Sequence, residues 1–253
     1  MALNKGTQIV KGFPEWFGED LSDFEEWIDI VSKKSKTVVF RGQRKYWPLL
    51  PSINRNNNLP ESILTVEKEL LNTFKKEAPP CLHLKPKSNW DWLVVGQHHG
   101  LPTRILDWSK DPLVALWFAI ENYKKADSEP EVWALRVNDE DVIKSLDNTR
   151  PFQGTRSKLF ETDFQIPRVK QQQGCFILFK YIEKQEIGFV RLERNSYLRG
   201  KIEKIRFFKR LVPDLLEQLI QKGYSRSFLF PDIDEVAKSV KEKVLNKLHN
   251  KAV

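Results

Sequence analysis

Apolar residues recur at three- and four-residue intervals through Leu21, Phe24, Trp27, Ile28 and Val31, the spacing that gathers side chains on one face of an α-helix. Asp20 or Ser22 would cap it, since a short polar side chain can accept from a free first-turn amide. A polar break follows. Residues 37–40 then set β-branched and aromatic side chains in an unbroken run, which predicts a buried strand delivering Arg41-Gly42-Gln43 at its end. Beyond a proline-punctuated loop, Pro60 would open a helix with Ile63, Val66, Leu70 and Phe74 on its core face. Ser88 or Asn89 would cap another, carrying Trp90, Leu93 and Val94 and closing near His99, where Gly100 can take a left-handed cap. Residues 103–107 predict a short strand. Asp111-Pro112 reads as a cap with a first-turn proline, and residues 113–120 as a helix apolar on most sides and therefore central.

Further on, the pattern predicts a strand over 132–137, a short helix over 140–146, a long loop over 148–165 and a strong strand over 175–181. Residues 189–192 and 202–207 are further strand candidates. Residues 211–220 read as a helix closed by Gly223, and 233–248 as a last, lysine-rich helix. Residues 1–17 lack a pattern, although Trp16 and Phe17 could anchor them. This order predicts an α+β fold with a mixed or split β-sheet core flanked by helices. Neither a repeat nor a linker is visible in the 253 residues. A single domain is expected, with an N-terminal helical segment (1–35), an α+β core (36–232) and a lysine-rich C-terminal helix (233–253).

Charge adds a direction. Lys and Arg number 42 against 34 Asp and Glu, a net +8, which fits a polyanionic partner as well as it fits a merely basic surface. The two cysteines have no CxxC spacing, so neither a disulfide scaffold nor a zinc knuckle is indicated. No apolar run reaches the roughly 18 residues of a membrane span, and the N-terminus has no apolar leader core. A cytoplasmic protein without a membrane partner is expected.

Polar residues cluster at the ends of apolar elements: Arg41-Gly42-Gln43, His98-His99, Thr103-Arg104 with Asp107, and Arg168 with the Gln171–Gln173 run. Arg41 would hold a phosphate or carboxylate in a bidentate grip, with Gly42 letting a ligand approach the backbone, or it pairs with a core-edge carboxylate. His98 and His99 are adjacent and so do not share a helix face. Without HExxH or a cysteine pair, no metal is expected. The two imidazoles would instead orient a substrate or move protons, or at least one of them is a satisfied structural histidine, at a helix end whose dipole favours their charged forms. Asp107 would take part in chemistry, cap the next helix or pair with Arg104. Dinucleotide, P-loop and hydrolase-elbow motifs are all missing. Lys238, Lys241, Lys243, Lys247 and Lys251 form a solvated face or a nucleic-acid contact.

These residues resemble a family. Phe40-Arg41-Gly42-Gln43 with 47–55, then 90–108 and 112–119, are similar to the FRG domain, named for its Phe-Arg-Gly triplet. Arg168, Gln172-Gln173-Gly174-Cys175-Phe176 and Leu229-Phe230-Pro231-Asp232 resemble the same family's later motifs. The layout in turn resembles ADP-ribosyltransferases, in which an arginine ending the first strand holds the phosphates of NAD, a short strand frames the nicotinamide ribose, and a late residue, usually Glu, orients a ribose hydroxyl. The resemblance implies an NAD co-substrate held by Arg41, Gly42, Gln43, Thr103, Arg104, Arg168 and Gln172. It also implies chemistry at His98, His99, Asp107 and Gln173, with Gln173 standing where a Glu is usual. The activity implied is transfer of ADP-ribose to a macromolecular acceptor, RNA or another nucleic acid or a protein, by a toxin or anti-phage defence effector with an antitoxin or inhibitor partner. The alternatives are a non-catalytic nucleotide- or nucleic-acid-binding module, or a protein interaction domain.

Overall fold

The computed structural model describes residues 8–10, 13–55, 62–123, 129–146, 149–183 and 188–249. Asp20 caps α1 (Leu21–Ser32), accepting from the Asp23 amide, and Leu21, Phe24, Trp27 and Val31 are buried as their spacing requires. The chain then forms β3 (Thr37–Gln43), after β1 (Gln8–Val10) and β2 (Phe13–Gly18). Ser62 caps α2 (Ile63–Glu77), whereas Pro60 lies outside the described residues. Ser88 and Asp91 form a reciprocal capping box for α3 (Asn89–His98). After β4 (Ile105–Ser109), the Asp111 carboxylate accepts from the Leu113 and Val114 amides and Pro112 opens α4 (Pro112–Ile120).

The rest of the chain adds β5 (Glu131–Val137), β6 (Lys158–Phe160), α5 (Pro167–Gln171), β7 (Gly174–Leu178), β8 (Tyr181–Ile182), β9 (Gly188–Phe189), β10 (Ile202–Phe207), α6 (Val212–Gln221), α7 (Arg226–Leu229) and α8 (Ile233–His249). The fold is α+β. Its mixed sheet runs in the order β1-β2-β10-β5-β3-β4-β7-β6, with β8 and β9 as a separate pair. β2 and β10 are parallel, and the other neighbours in the large sheet are antiparallel.

One junction in this sheet differs from the others. β3 pairs with β5 over its whole length, from Thr37↔Val137 to Gln43↔Glu131, yet it meets β4 only at Phe40↔Ser109. On its far side β4 pairs with β7 over all five of its residues. The sheet is therefore split between β3 and β4, with a well-laddered half on either side.

Packing explains the split. Alternation along β3 sends Phe40 to one face and Val39 to the other. Phe40 joins α1, α4 and α6 in a core with Trp27, Ala115, Ala119, Ile205 and Leu215. Across the gap on the same face, Ile105 and Phe176 pack beneath α3 with Trp90, Leu93 and Val94. The opposite face is continuous beneath both halves, through Val39, Leu106, Trp108, Trp133 and Ile177. Two helical layers thus stand on one side of the sheet with a gap between them, over a common apolar floor.

Several expectations are corrected. Residues 13–18 are not part of a helical segment; they form β2 alongside β10, where the Trp16 indole donates to Glu203 (3.3 Å) and Phe17 stacks on Phe208. Residues 140–146 form no α-helix: a 3-10 turn at Asp139–Asp141 leads to extended Val142, bridged to Leu159. The 148–165 loop contains the edge strand β6. β3 runs through Gln43, so Arg41 lies within the strand, and the strand predicted at 103–107 begins two residues later.

Gly42 has a structural reason. A Cβ there would lie 1.8 Å from the Ala115 carbonyl oxygen and 2.7 Å from the Ala119 nitrogen, because the backbone of α4 lies directly on β3. No rotamer change relieves a clash with backbone. Gly42→Ala should lose about 3 kcal/mol or more, at the upper end of overpacking costs. Gly200→Ala, whose Cβ would meet nothing within 4 Å, should change stability by well under 1 kcal/mol. Denaturant unfolding of the two variants checks the contrast.

Candidate functional site

The gap between the half-sheets opens into a cleft of about 470 Å³. β3 supplies Arg41, Gly42 and Gln43 to its lining and β4 supplies Asp107. α3 adds Val94, Gln97 and His98, α4 adds Ala115 and Phe118, and α5 adds Arg168.

Arg41 lies at the bottom of the split. Its Nη1 donates to the Asp107 carbonyl (2.6 Å), so a guanidinium spans the gap where ladder bonds would otherwise run. Its Nε is buried without a hydrogen-bond partner. Burial pulls its pKa down to about 10; Asp107 works against that shift and Arg55 adds to it. The group remains charged at neutral pH but is poorly solvated, so an anion reaching Nε would satisfy both its charge and its donor. Arg44, Arg55 and Arg168 also line the cleft, against the carboxylates Asp107 and Glu121. Arg168 lies over the Phe230 ring at 3.9 Å, and burial lowers its pKa.

Asp107 is positioned by a relay. Buried Thr103 donates from Oγ1 to Gln97 Oε1 (2.5 Å), and Gln97 Nε2 donates to Asp107 Oδ2 (2.8 Å). Thr103 therefore acts through Gln97 and does not line the cleft. His98 does line it, and burial holds its pKa below the ordinary value, with His99 and Arg168 adding to the shift and Asp107 opposing it. Desolvation outweighs the helix dipole expected to favour the charged form. His99 caps α3, is exposed, and meets His98 edge-on at 4.9 Å without entering the cleft.

Other expected residues are engaged within the protein. Arg104 is buried on a different side, donating from Nε to Glu67 Oε2 (2.8 Å) and from Nη2 to the same oxygen (2.5 Å), with its guanidinium 4.7 Å from the centre of the Phe152 ring. Gly42 borders the cleft, but its missing side chain makes room for α4. Gln43 is buried; with its amide nitrogen turned toward Glu131 it donates to Glu131 Oε1 (3.3 Å) and the Trp47 carbonyl (3.0 Å). Of the glutamines, Gln172 lines the cleft, and its Nε2 donates to the Leu229 carbonyl (3.0 Å). Gln173, in left-handed backbone (φ 45°), turns out toward Asp111.

Residues 36–128 match the family model of the FRG domain. This stretch is an FRG domain. The chain matches no curated protein and no solved structure. The FRG stretch carries Arg41, the Thr103–Gln97–Asp107 relay, His98 and α4, whereas Arg168 and Gln172 close the cleft from beyond residue 128. No helix among the described residues is long and apolar enough to cross a membrane.

Sequence reading missed Glu121, Arg44, Arg55 and Gln97. Glu121 carried a signal: it caps the C-terminus of α4, where the dipole disfavours a carboxylate. Burial raises its pKa, and a 3.0 Å pair with Arg226 acts against that rise.

Two outcomes follow from these environments. His98 resists protonation in the folded state while the unfolded chain takes a proton near pH 6.5, so stability should fall as pH drops below about 6.5. His98→Gln should flatten that part of the profile in urea titrations between pH 5 and 8. Glu67→Ala, which strands the buried Arg104, should cost about 3–5 kcal/mol while leaving cleft ligands bound with unchanged affinity wherever the variant is folded.

Proposed function

We propose that the cleft binds NAD and that the protein transfers ADP-ribose to a macromolecular acceptor. The observation that carries this reading is Arg41, a charged guanidinium at the floor of the split with a buried, unpartnered Nε. With Arg44, Arg55 and Arg168 around it, the floor suits a pyrophosphate, whose several acidic oxygens can accept from several guanidiniums at once. The cleft volume is within the range of small-molecule sites, and Trp47 and Phe118 offer rings on its wall.

When bound, NAD supplies a glycosidic bond that breaks with positive charge developing on the ribose. Asp107 is the carboxylate placed to oppose that charge, and Gln97 fixes its orientation in advance. In this reading the role expected of a late-strand Glu passes to Asp107. His98, neutral at pH 7, can accept a proton from an acceptor hydroxyl or amine. Gln172, committed to the Leu229 carbonyl, shapes the wall. The protein would work in the cytoplasm as a toxin or anti-phage effector restrained by an inhibitor protein. A second reading, a nucleotide-binding module without turnover, draws support from the amides Gln172 and Gln173 at the late-strand position.

Purified protein incubated with adenylate-labelled NAD and with RNA, DNA or lysate protein should label one acceptor class. Arg41→Lys should weaken NAD binding about tenfold or more, since a point charge replaces a fork. Asp107→Asn should retain binding, measured by calorimetry, and lose about 100-fold or more in transfer rate. Binding without turnover in the wild type would favour the second reading. NAD that neither binds nor is consumed would exclude both NAD readings.

A further inference from the structure

We infer that the rim of the cleft is a platform for single-stranded nucleic acid, built from the 44–47 turn and the 191–194 segment. As the acceptor site of a transferase it rests on the preceding proposal; as a binding surface it stands by itself.

The turn is constructed rather than loose. β3 ends at buried Gln43, whose side chain engages Trp47 and draws the chain back on itself. The Leu49 amide donates to Glu193 Oε2 (3.2 Å), and the Leu192 amide donates to the Leu49 carbonyl (3.2 Å). These two bonds fasten the 191–194 segment against the turn. Between the fixed points two large rings remain in solvent, Tyr46 at 37% exposure and Trp47 at 39%. Each ring also has an ammonium group near it: Lys204 Nζ lies 5.2 Å from the Tyr46 centroid and Lys45 Nζ 5.4 Å from that of Trp47.

Cations surround the rings. Arg44 and Arg55 line the adjoining cleft and Lys45 lies within the turn; burial, Glu193 and Glu131 raise the Tyr46 pKa, and Arg191 and Arg194 act against that rise. The nearby carboxylates are occupied inward: Glu193 caps the Leu49 amide, and Glu131 pairs with buried Lys204 (2.8 Å). Arg194 is exposed and Arg191 half-buried, near the two exposed rings.

That combination fits one class of polyanion best. Guanidiniums and lysines track a phosphate backbone, and rings stack on bases, whose faces are available only when the strand is unpaired. A duplex offers the charge but hides the bases, and an acidic peptide offers neither a regular phosphate spacing nor stacking faces. Trp47 and Arg44 belong to both platform and cleft, so a strand laid across the rings would pass the cleft mouth.

The test uses the full chain and labelled 12-mers of uridine and deoxythymidine, a duplex of equal length and polyglutamate, by fluorescence anisotropy. Single strands should bind most tightly. Tyr46→Ala should weaken them about tenfold or more, Tyr46→Phe should restore them, and Arg191→Ala with Arg194→Ala should lower the slope of log affinity against log salt by about 0.7 per residue. Equal binding of duplex or polyglutamate, or indifference to Tyr46→Ala at unchanged thermal stability, overturns the platform. NAD calorimetry on the same Tyr46→Ala protein separates the claims. NAD binding without oligonucleotide binding rejects the platform alone, and oligonucleotide binding without NAD binding rejects the transferase reading alone.

Discussion

The close approach of α4 to β3 is the contact on which the cleft depends. With Ala115 and Ala119 lying against Gly42, the helix sits too near the strand for any side chain between them. Beside it β3 and β4 meet at one residue pair and part. What would be a row of peptide hydrogen bonds becomes a cavity wall, and Arg41 reaches across it. The Phe-Arg-Gly triplet thus combines three duties: Phe40 fixes the core beneath α4, Gly42 admits the helix, and Arg41 occupies the gap their packing creates.

Polar groups around this gap are arranged by how much solvation they lose. Arg104 and Glu67, fully enclosed, satisfy one another and leave little capacity for a ligand. Arg41 is treated differently, with one nitrogen bonded to a carbonyl and another left without a partner. Such a group is expensive in an empty protein and is where a ligand gains most, which is why orphaned donors tend to mark binding sites more reliably than paired ones. Asp107 is exposed yet oriented, by a glutamine that is itself held by a buried threonine.

Much of this was readable from residue order. Helical spacing located α1, capping residues located α3 and α4, and 202–207 matched β10 in full, because local periodicity and end chemistry are properties of short windows. Arg41, His98, Asp107, Arg168 and Gln172, singled out by residue type and position, line one cleft. Arg104 was misplaced because its partner Glu67 is 37 residues away on a helix whose apolar pattern hid a buried carboxylate. β2 was missed because its strand character comes from pairing with residues 204–207, far along the chain. Gly42 was given a ligand-related reason when the true cause, a backbone 1.8 Å from its absent methyl position, exists only in three dimensions.

The single Phe40↔Ser109 pairing also has a mechanical side. A sheet resists shearing because every strand is stitched to its neighbours at many points, and here β3 and β4 share one ladder pair and the Arg41–Asp107 bond over a common apolar floor, with Gln172 and Arg168 reaching Leu229 and Phe230 across the cleft. Apolar contact tolerates small sliding far better than a hydrogen-bond ladder does, so opening or narrowing the gap disturbs few directional bonds. An anion bound between the half-sheets would add a polar link at the junction where the ladder is interrupted.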